Sequence, residues 1–268
     1  KVHTIHAACN AVHCKSGELA RRSEKHEVPR ELDWDLWLGP AARRDYHPMY
    51  LPGNWRGWKP FGDGTIGDWV CHVVDPSFWA LDLGAPASVE AVKLLEYDPV
   101  QHADTFPKGA AIKFDFPSKG DRGPVTLLWY SGVERIPRPA ELEAGRNPPD
   151  TGAVLLGDKG AMMHGSHGAG GVGIIPEEKM KAYKQPAESI PRVRGHHADF
   201  LGAIRNGSKA GSDFAAYGGP LTEIALLGII AMSLPGRKLS WDGANARFTD
   251  CEEANRLVSP PYREGWML

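Results

Sequence analysis

The stretch SVEAVKLLEYDPVQHADTFPKGAAIKFDFPSKGDRGPVTLLWY, residues 88–130, decides the fold. Ser88–Tyr97 is rich in β-formers. Ala111–Phe116 alternates, which places Ile112, Phe114 and Phe116 on one face. Val125–Tyr130 is a third run of the same kind. Pro, Gly and Asp punctuate the gaps, as they do between short strands. Working outward, Val154–Met163 brackets Gly157-Asp158-Lys159-Gly160, a hairpin signal. Residues 2–10 read as a strand with His3 and His6 on opposite faces, and Leu239–Trp241 as a short late one. Gly132–Gly152 and His164–Pro191 read as loops.

Helices flank this core. One is expected from about Gly64 to Asp75, broken where Pro76 disfavours helical backbone in the residue before it. His197, Phe200, Leu201 and Ile204 form a helical stripe, stopped by Gly207. Leu221–Leu234 is almost wholly apolar and predicts a buried helix. Successive strands with helices at either end predict an α+β fold: a largely antiparallel, open-faced β-sheet flanked by helices, in one domain over 1–268. Apolar Trp129 and Phe114 on an open face would favour a homo-oligomer. Between Leu32 and Lys59 lies an irregular excursion rich in Trp, Pro, Tyr and His, expected to be pinned down by its aromatics.

Composition narrows the partners. Apolar residues make up 42% of the 268, enough for a sizeable core, and a net charge of -2 without a basic cluster gives no reason to expect nucleic acid. There is no run of about 18 apolar residues, so no membrane span and a cytoplasmic location are expected. Cys9, Cys14, Cys71 and Cys251 read as reduced thiols.

Asp68 and His72 sit four apart on the first helix and share a face. A carboxylate there can orient an imidazole for proton transfer, although the same spacing also describes an ordinary surface pair. Histidines are plentiful. His13, His72 and His197 could assemble a divalent site, zinc best suiting such ligands, or be scattered hydrogen-bonding side chains. His164 and His167 lie in M-M-H-G-S-H-G and, with His197, could line a substrate pocket. Trp55 and Arg56 could hold a sugar by stacking and hydrogen bonding, or pin the long loop. Lys59 could join them or be a solvated loop lysine. The run Gly168-Ala169-Gly170-Gly171-Val172-Gly173 lacks the strand before it and the helix after it that a dinucleotide motif needs.

Segments 32–41, 46–50, 54–58, 62–86, 195–207, 220–231, 239–242 and 262–266 together resemble the C-terminal domain of the glucose-fructose oxidoreductase / inositol dehydrogenase / MocA family. The resemblance implies a dinucleotide-binding Rossmann domain in front, with its glycine motif and catalytic lysine; neither occurs in these 268 residues, so no NAD is expected on this chain. It also implies Asp68 and His72 as catalytic residues, His197 near a sugar pocket, and assembly as dimers or tetramers. Two enzymatic functions and one non-catalytic role are expected to compete. One is a carbohydrate-active enzyme, a glycosidase or 3-keto-glycoside lyase or hydrolase, working by acid–base chemistry with a divalent metal. The other is a fragment or subunit of an NAD(P)-dependent sugar oxidoreductase completed by a separate Rossmann-domain subunit. A non-catalytic sugar-binding or assembly subunit is the third.

Overall fold

The computed structural model describes residues 1–266. Nine strands form one sheet: β1 (Val2–Cys9), β2 (Ser88–Leu95), β3 (Gly109–Phe116), β4 (Val125–Gly132), β5 (Gly152–Gly157), β6 (Gly160–Gly165), β7 (Gly173–Ile175), β8 (Lys238–Asp242) and β9 (Arg247–Phe248). Their order is β7-β6-β5-β1-β4-β3-β2-β8-β9. Among the described residues every ladder is antiparallel except β1 against β4, where Thr4 faces Thr126 and Cys9 faces Ser131. This is the open, largely antiparallel α+β sheet the sequence predicts. The hairpin is in place too, closing on the pair Gly157 and Gly160.

The helices are α1 (Trp34–Leu38), α2 (Gly64–Val73), α3 (Asp75–Ala80), α4 (Glu177–Ala182), α5 (His196–Asn206), α6 (Gly219–Ser233) and α7 (Glu252–Val258). Pro76 does break the first long helix, and it does so by starting α3, where its missing N–H costs nothing. Helices α2 and α6 cover one face of the sheet. Ile66, Val70 and Val73 from α2 and Ile224, Leu227 and Ala231 from α6 share a core with Ile112, Phe114, Leu127 and Trp129. Phe114 and Trp129 are 0% exposed. They therefore lie under the helices and not on the open face, where the sequence reading put them. Alternation separates the two faces of a strand but does not say which one the helices cover. The open face carries Thr4, His6, Thr126, Leu128, Lys113 and Asp115 instead, with Thr126 Oγ1 donating to Asp115 at 3.1 Å.

Three further expectations are corrected. Helix α6 is not buried all round, since Leu226 is 46% exposed. With the turn before it, the run Phe214–Ser233 is long and apolar enough by composition to cross a bilayer, which the sequence reading did not anticipate; its inner flank is fixed in the core. The stripe of α5 faces outward, with Phe200 55% and Ile204 64% exposed. Strand β7 and helix α4 occupy part of the segment read as loop, being too short and glycine-flanked to show periodicity. The excursion over 32–59 is pinned as expected: Trp58 is fully buried against Met49 and Tyr50, its Nε1 donating to the Met49 carbonyl at 3.0 Å.

Candidate functional site

Helix α2 is positioned by its first turn. Gly64 has φ +62°, and a Cβ there would meet the Phe106 ring at 2.7 Å, so the position demands glycine on both counts. Thr65 Oγ1 donates to the Ala11 carbonyl at 3.0 Å, which ties the helix to the segment leaving β1. With Ile66, Val70 and Val73 turned into the core, Asp68, Trp69 and His72 remain on the outward side.

Asp68 is the centre of the cluster. Arg56 Nε donates to its Oδ1 at 3.0 Å, and His13 Nε2 stands 3.3 Å from its Oδ2. The imidazole is within ion-pair reach but off the hydrogen-bond axis, and its Nε2 is buried with no other partner. The Arg56 guanidinium lies 4.6 Å from the Trp55 ring centre. Burial holds His13 below the usual histidine range. The Asp68 carboxylate opposes this, and the charges of Arg56 and Lys15 reinforce it.

His72, the expected partner of Asp68, is engaged elsewhere. Its ring stacks on His167 with centroids 4.5 Å apart and planes 27° from parallel. Trp69 stands edge-on to both, at 5.6 Å from His72 and 5.5 Å from His167. The His167 N–H donates to the His72 carbonyl at 2.9 Å, which clips the loop after β6 onto the end of α2. The result is an aromatic shelf one helical turn from the carboxylate. Sequence reasoning missed Trp69 and missed His13 as the partner of Asp68. The first carries only the weak signal of an aromatic between two polar helix positions. The second depends on β1 lying in mid-sheet beside α2, which no local pattern reveals.

The remaining expected residues are dispersed. His164 is buried in β6, its Nδ1 2.6 Å from the Gly165 carbonyl. His197 is exposed on α5 beside His196, with ring centroids 4.0 Å apart. Lys59 turns to Tyr97 and Ser233, away from the Asp68 partners. His13, His72 and His197 do not converge. Among the described residues, the set of metal-ligating side chains whose ligand atoms lie within 4.8 Å of one another is Glu24, His26 and His47. His47 Nδ1 accepts the Met49 N–H at 3.1 Å, which leaves its proton on Nε2, aimed at Glu24 3.3 Å away. A protonated nitrogen has no lone pair for a cation, so that cluster suits hydrogen bonding better than a metal. All four cysteines are free thiols.

One consequence is measurable without knowing the substrate. His13 titrates near 6.5 when unfolded and lower when folded, so on acidification the unfolded chain takes the proton first. The His13 contribution to stability is therefore complete above about pH 6.5 and falls below it until the folded imidazole also protonates. Denaturant midpoints measured across pH 5–8 are expected to fall more steeply on the acid side for the wild type than for His13→Gln. Parallel curves would show that His13 is not held neutral.

An open, mostly antiparallel sheet with helices on one face defines an α+β domain, and the ionic cluster of His13, Arg56 and Asp68 lies on the outward side of α2. Residues 14–119, which include β2, β3, α2, Arg56 and Asp68 and begin one residue after His13, match the family model described as oxidoreductase family, C-terminal alpha/beta domain. The match covers that segment, under half of the chain, and is to the C-terminal domain of the Gfo/Idh/MocA family. No curated protein matches the chain.

Proposed function

We propose that this chain is the substrate-handling part of a sugar oxidoreductase, with the hydride acceptor held by a dinucleotide domain outside these 268 residues. The observation that carries this reading is the His13–Asp68–Arg56 cluster beside the Trp69–His72–His167 shelf. Oxidising a secondary alcohol requires a base for the hydroxyl proton. A His13 ring kept neutral by burial can take that proton, and with Nε2 turned to Asp68 the nitrogen left for it is Nδ1. Asp68 then stabilises the imidazolium, and Arg56 fixes the carboxylate. The shelf offers ring faces to the apolar side of a pyranose or cyclitol.

The chain's own glycine run does not fit a dinucleotide. It leads from β6 into the three-residue edge strand β7, and α4 opens with Glu177 and Glu178, whose charges would repel a pyrophosphate. The outward stripe of α5, with Phe200, Leu201 and Ile204, supports a further body packing there.

Glycoside cleavage uses similar proton transfers on an already oxidised sugar, so the test separates the two. The chain is expected to release nothing from a 3-keto-glycoside with a chromogenic leaving group. Myo-inositol and D-glucose are expected to give saturation-transfer NMR signals that Trp69→Ala removes. Chromophore release without a nicotinamide cofactor would replace this reading with the lyase one; absence of any sugar signal would remove both.

A further inference from the structure

Lys59 lies outside the Asp68 cluster and has a setting of its own. Its N–H donates to the Asp104 carbonyl at 2.9 Å, which directs the side chain inward between the sheet and the end of α6. There Nζ donates to Tyr97 OH at 2.7 Å and to Ser233 Oγ at 3.4 Å. It also lies 5.3 Å from the Tyr97 ring centre and 5.8 Å from that of Phe106. Ser233 Oγ donates onward to the Ile229 carbonyl at 3.3 Å, so it is free to accept from the lysine.

The acids and bases around it are occupied with other partners. Asp104, whose charge favours the ammonium, is engaged by Arg22 and by Arg44 at 3.7 Å. Asp98 accepts the N–H groups of Val100 and Gln101, both at 2.8 Å. His102 Nδ1 accepts the Asp98 N–H at 2.8 Å, its ring 5.7 Å from that of Tyr97. Among the described residues no carboxylate forms an ion pair with Lys59. An ammonium held by two neutral hydroxyls is poorly compensated for leaving water. Burial accordingly pushes Lys59 down to about 8, and the same burial pushes Tyr97 up to about 12. Tyr97 therefore stays a phenol and cannot restore the balance by ionising.

We propose that Lys59 is a carbonyl-reactive lysine that forms reversible imines with small aldehydes, open-chain aldoses among them. The neutral amine adds to the carbonyl carbon, making the C–N bond. The carbinolamine then loses its oxygen as water, with both hydrogens on nitrogen replaced by the C=N bond. Tyr97 OH, 2.7 Å from Nζ, is placed to give a proton to the departing oxygen and recover one from the nitrogen. The lysine is only partly exposed, which restricts the class to small carbonyl compounds. None of this depends on the oxidoreductase reading.

The test traps the imine on the intact chain. The protein is incubated with glyceraldehyde and cyanoborohydride between pH 6.5 and 10, and modified lysines are quantified by peptide mass spectrometry. At pH 7.5 a lysine titrating near 8 has roughly two hundred times more free amine than one near 10.5. Lower nucleophilicity and partial burial reduce that advantage to about tenfold. Lys59 is expected to label about tenfold faster than Lys25, whose side chain is 81% exposed, and its rate is expected to level off above pH 8. Lys59→Arg should lose this fast component only. Labelling of Lys59 no faster than Lys25, or a rate still climbing at pH 10, overturns the proposal, and neither needs a variant to fold.

Discussion

On the proposed reading, replacing Asp68 with asparagine is expected to lower sugar oxidation by the chain together with its dinucleotide domain by about 10²–10⁴-fold, the usual worth of a proton-transfer apparatus. Asparagine keeps the shape of aspartate but not the charge. It still accepts from Arg56 Nε, so the loop holding Trp55 and Arg56 stays in place. What it cannot do is stabilise an imidazolium on His13, 3.3 Å away. The loss should therefore fall on kcat, with KM for the sugar little changed, because the aromatic shelf is untouched. The acid limb of the surviving activity should also move to lower pH, since an uncharged neighbour leaves the Arg56 and Lys15 charges unopposed at His13 and its imidazole stays neutral further into acid. Full kcat in Asp68→Asn, measured by nicotinamide absorbance, would remove the carboxylate from the mechanism.

The second large effect is structural. Gly228→Leu is expected to destabilise the fold by about 3 kcal/mol or more, read as a lowered denaturant midpoint. A Cβ at position 228 would stand 2.5 Å from Ile66 Cδ1 and 3.3 Å from the Phe114 ring. Alanine would need Ile66 to change rotamer, at about 1 kcal/mol. Leucine would need α6 to lift from α2, opening a core in which Phe114 and Trp129 are wholly buried. Because α2 carries Asp68, Trp69 and His72, the same substitution should weaken sugar binding in whatever fraction still folds. A Gly228→Leu variant as stable as the wild type would show that the two helices do not depend on this close approach.

Local patterns made a good part of this fold legible. Alternation in Ala111–Phe116, the glycine pair of the β5–β6 hairpin and Pro76 at the junction of α2 and α3 each act within a few residues, where sequence and structure are directly coupled. The face on which Phe114 and Trp129 lie was not legible, because it depends on where α2 and α6 come to rest. Nor was the direction of the α5 stripe: periodicity marks an apolar face without naming what covers it. At the site, the spacing of Asp68 and His72 correctly placed both on one helical face. It could not show that His167 would take the imidazole or that His13 would arrive from β1, since both meetings close over long separations in sequence.

The position of β1 has a consequence for how the molecule is made. This strand runs near the middle of the sheet, yet its partners are β4 and β5, so Thr4 waits for Thr126 and Leu156. On the ribosome it stays unpaired until β4 has been synthesised, with Ile5, Ala7 and Cys9 uncovered in the meantime. The hairpin of β2 and β3 can close early; the centre of the sheet cannot. The centre of the sheet is therefore expected to close in a long-range step, and the loop that delivers His13 to Asp68 is expected to settle with it.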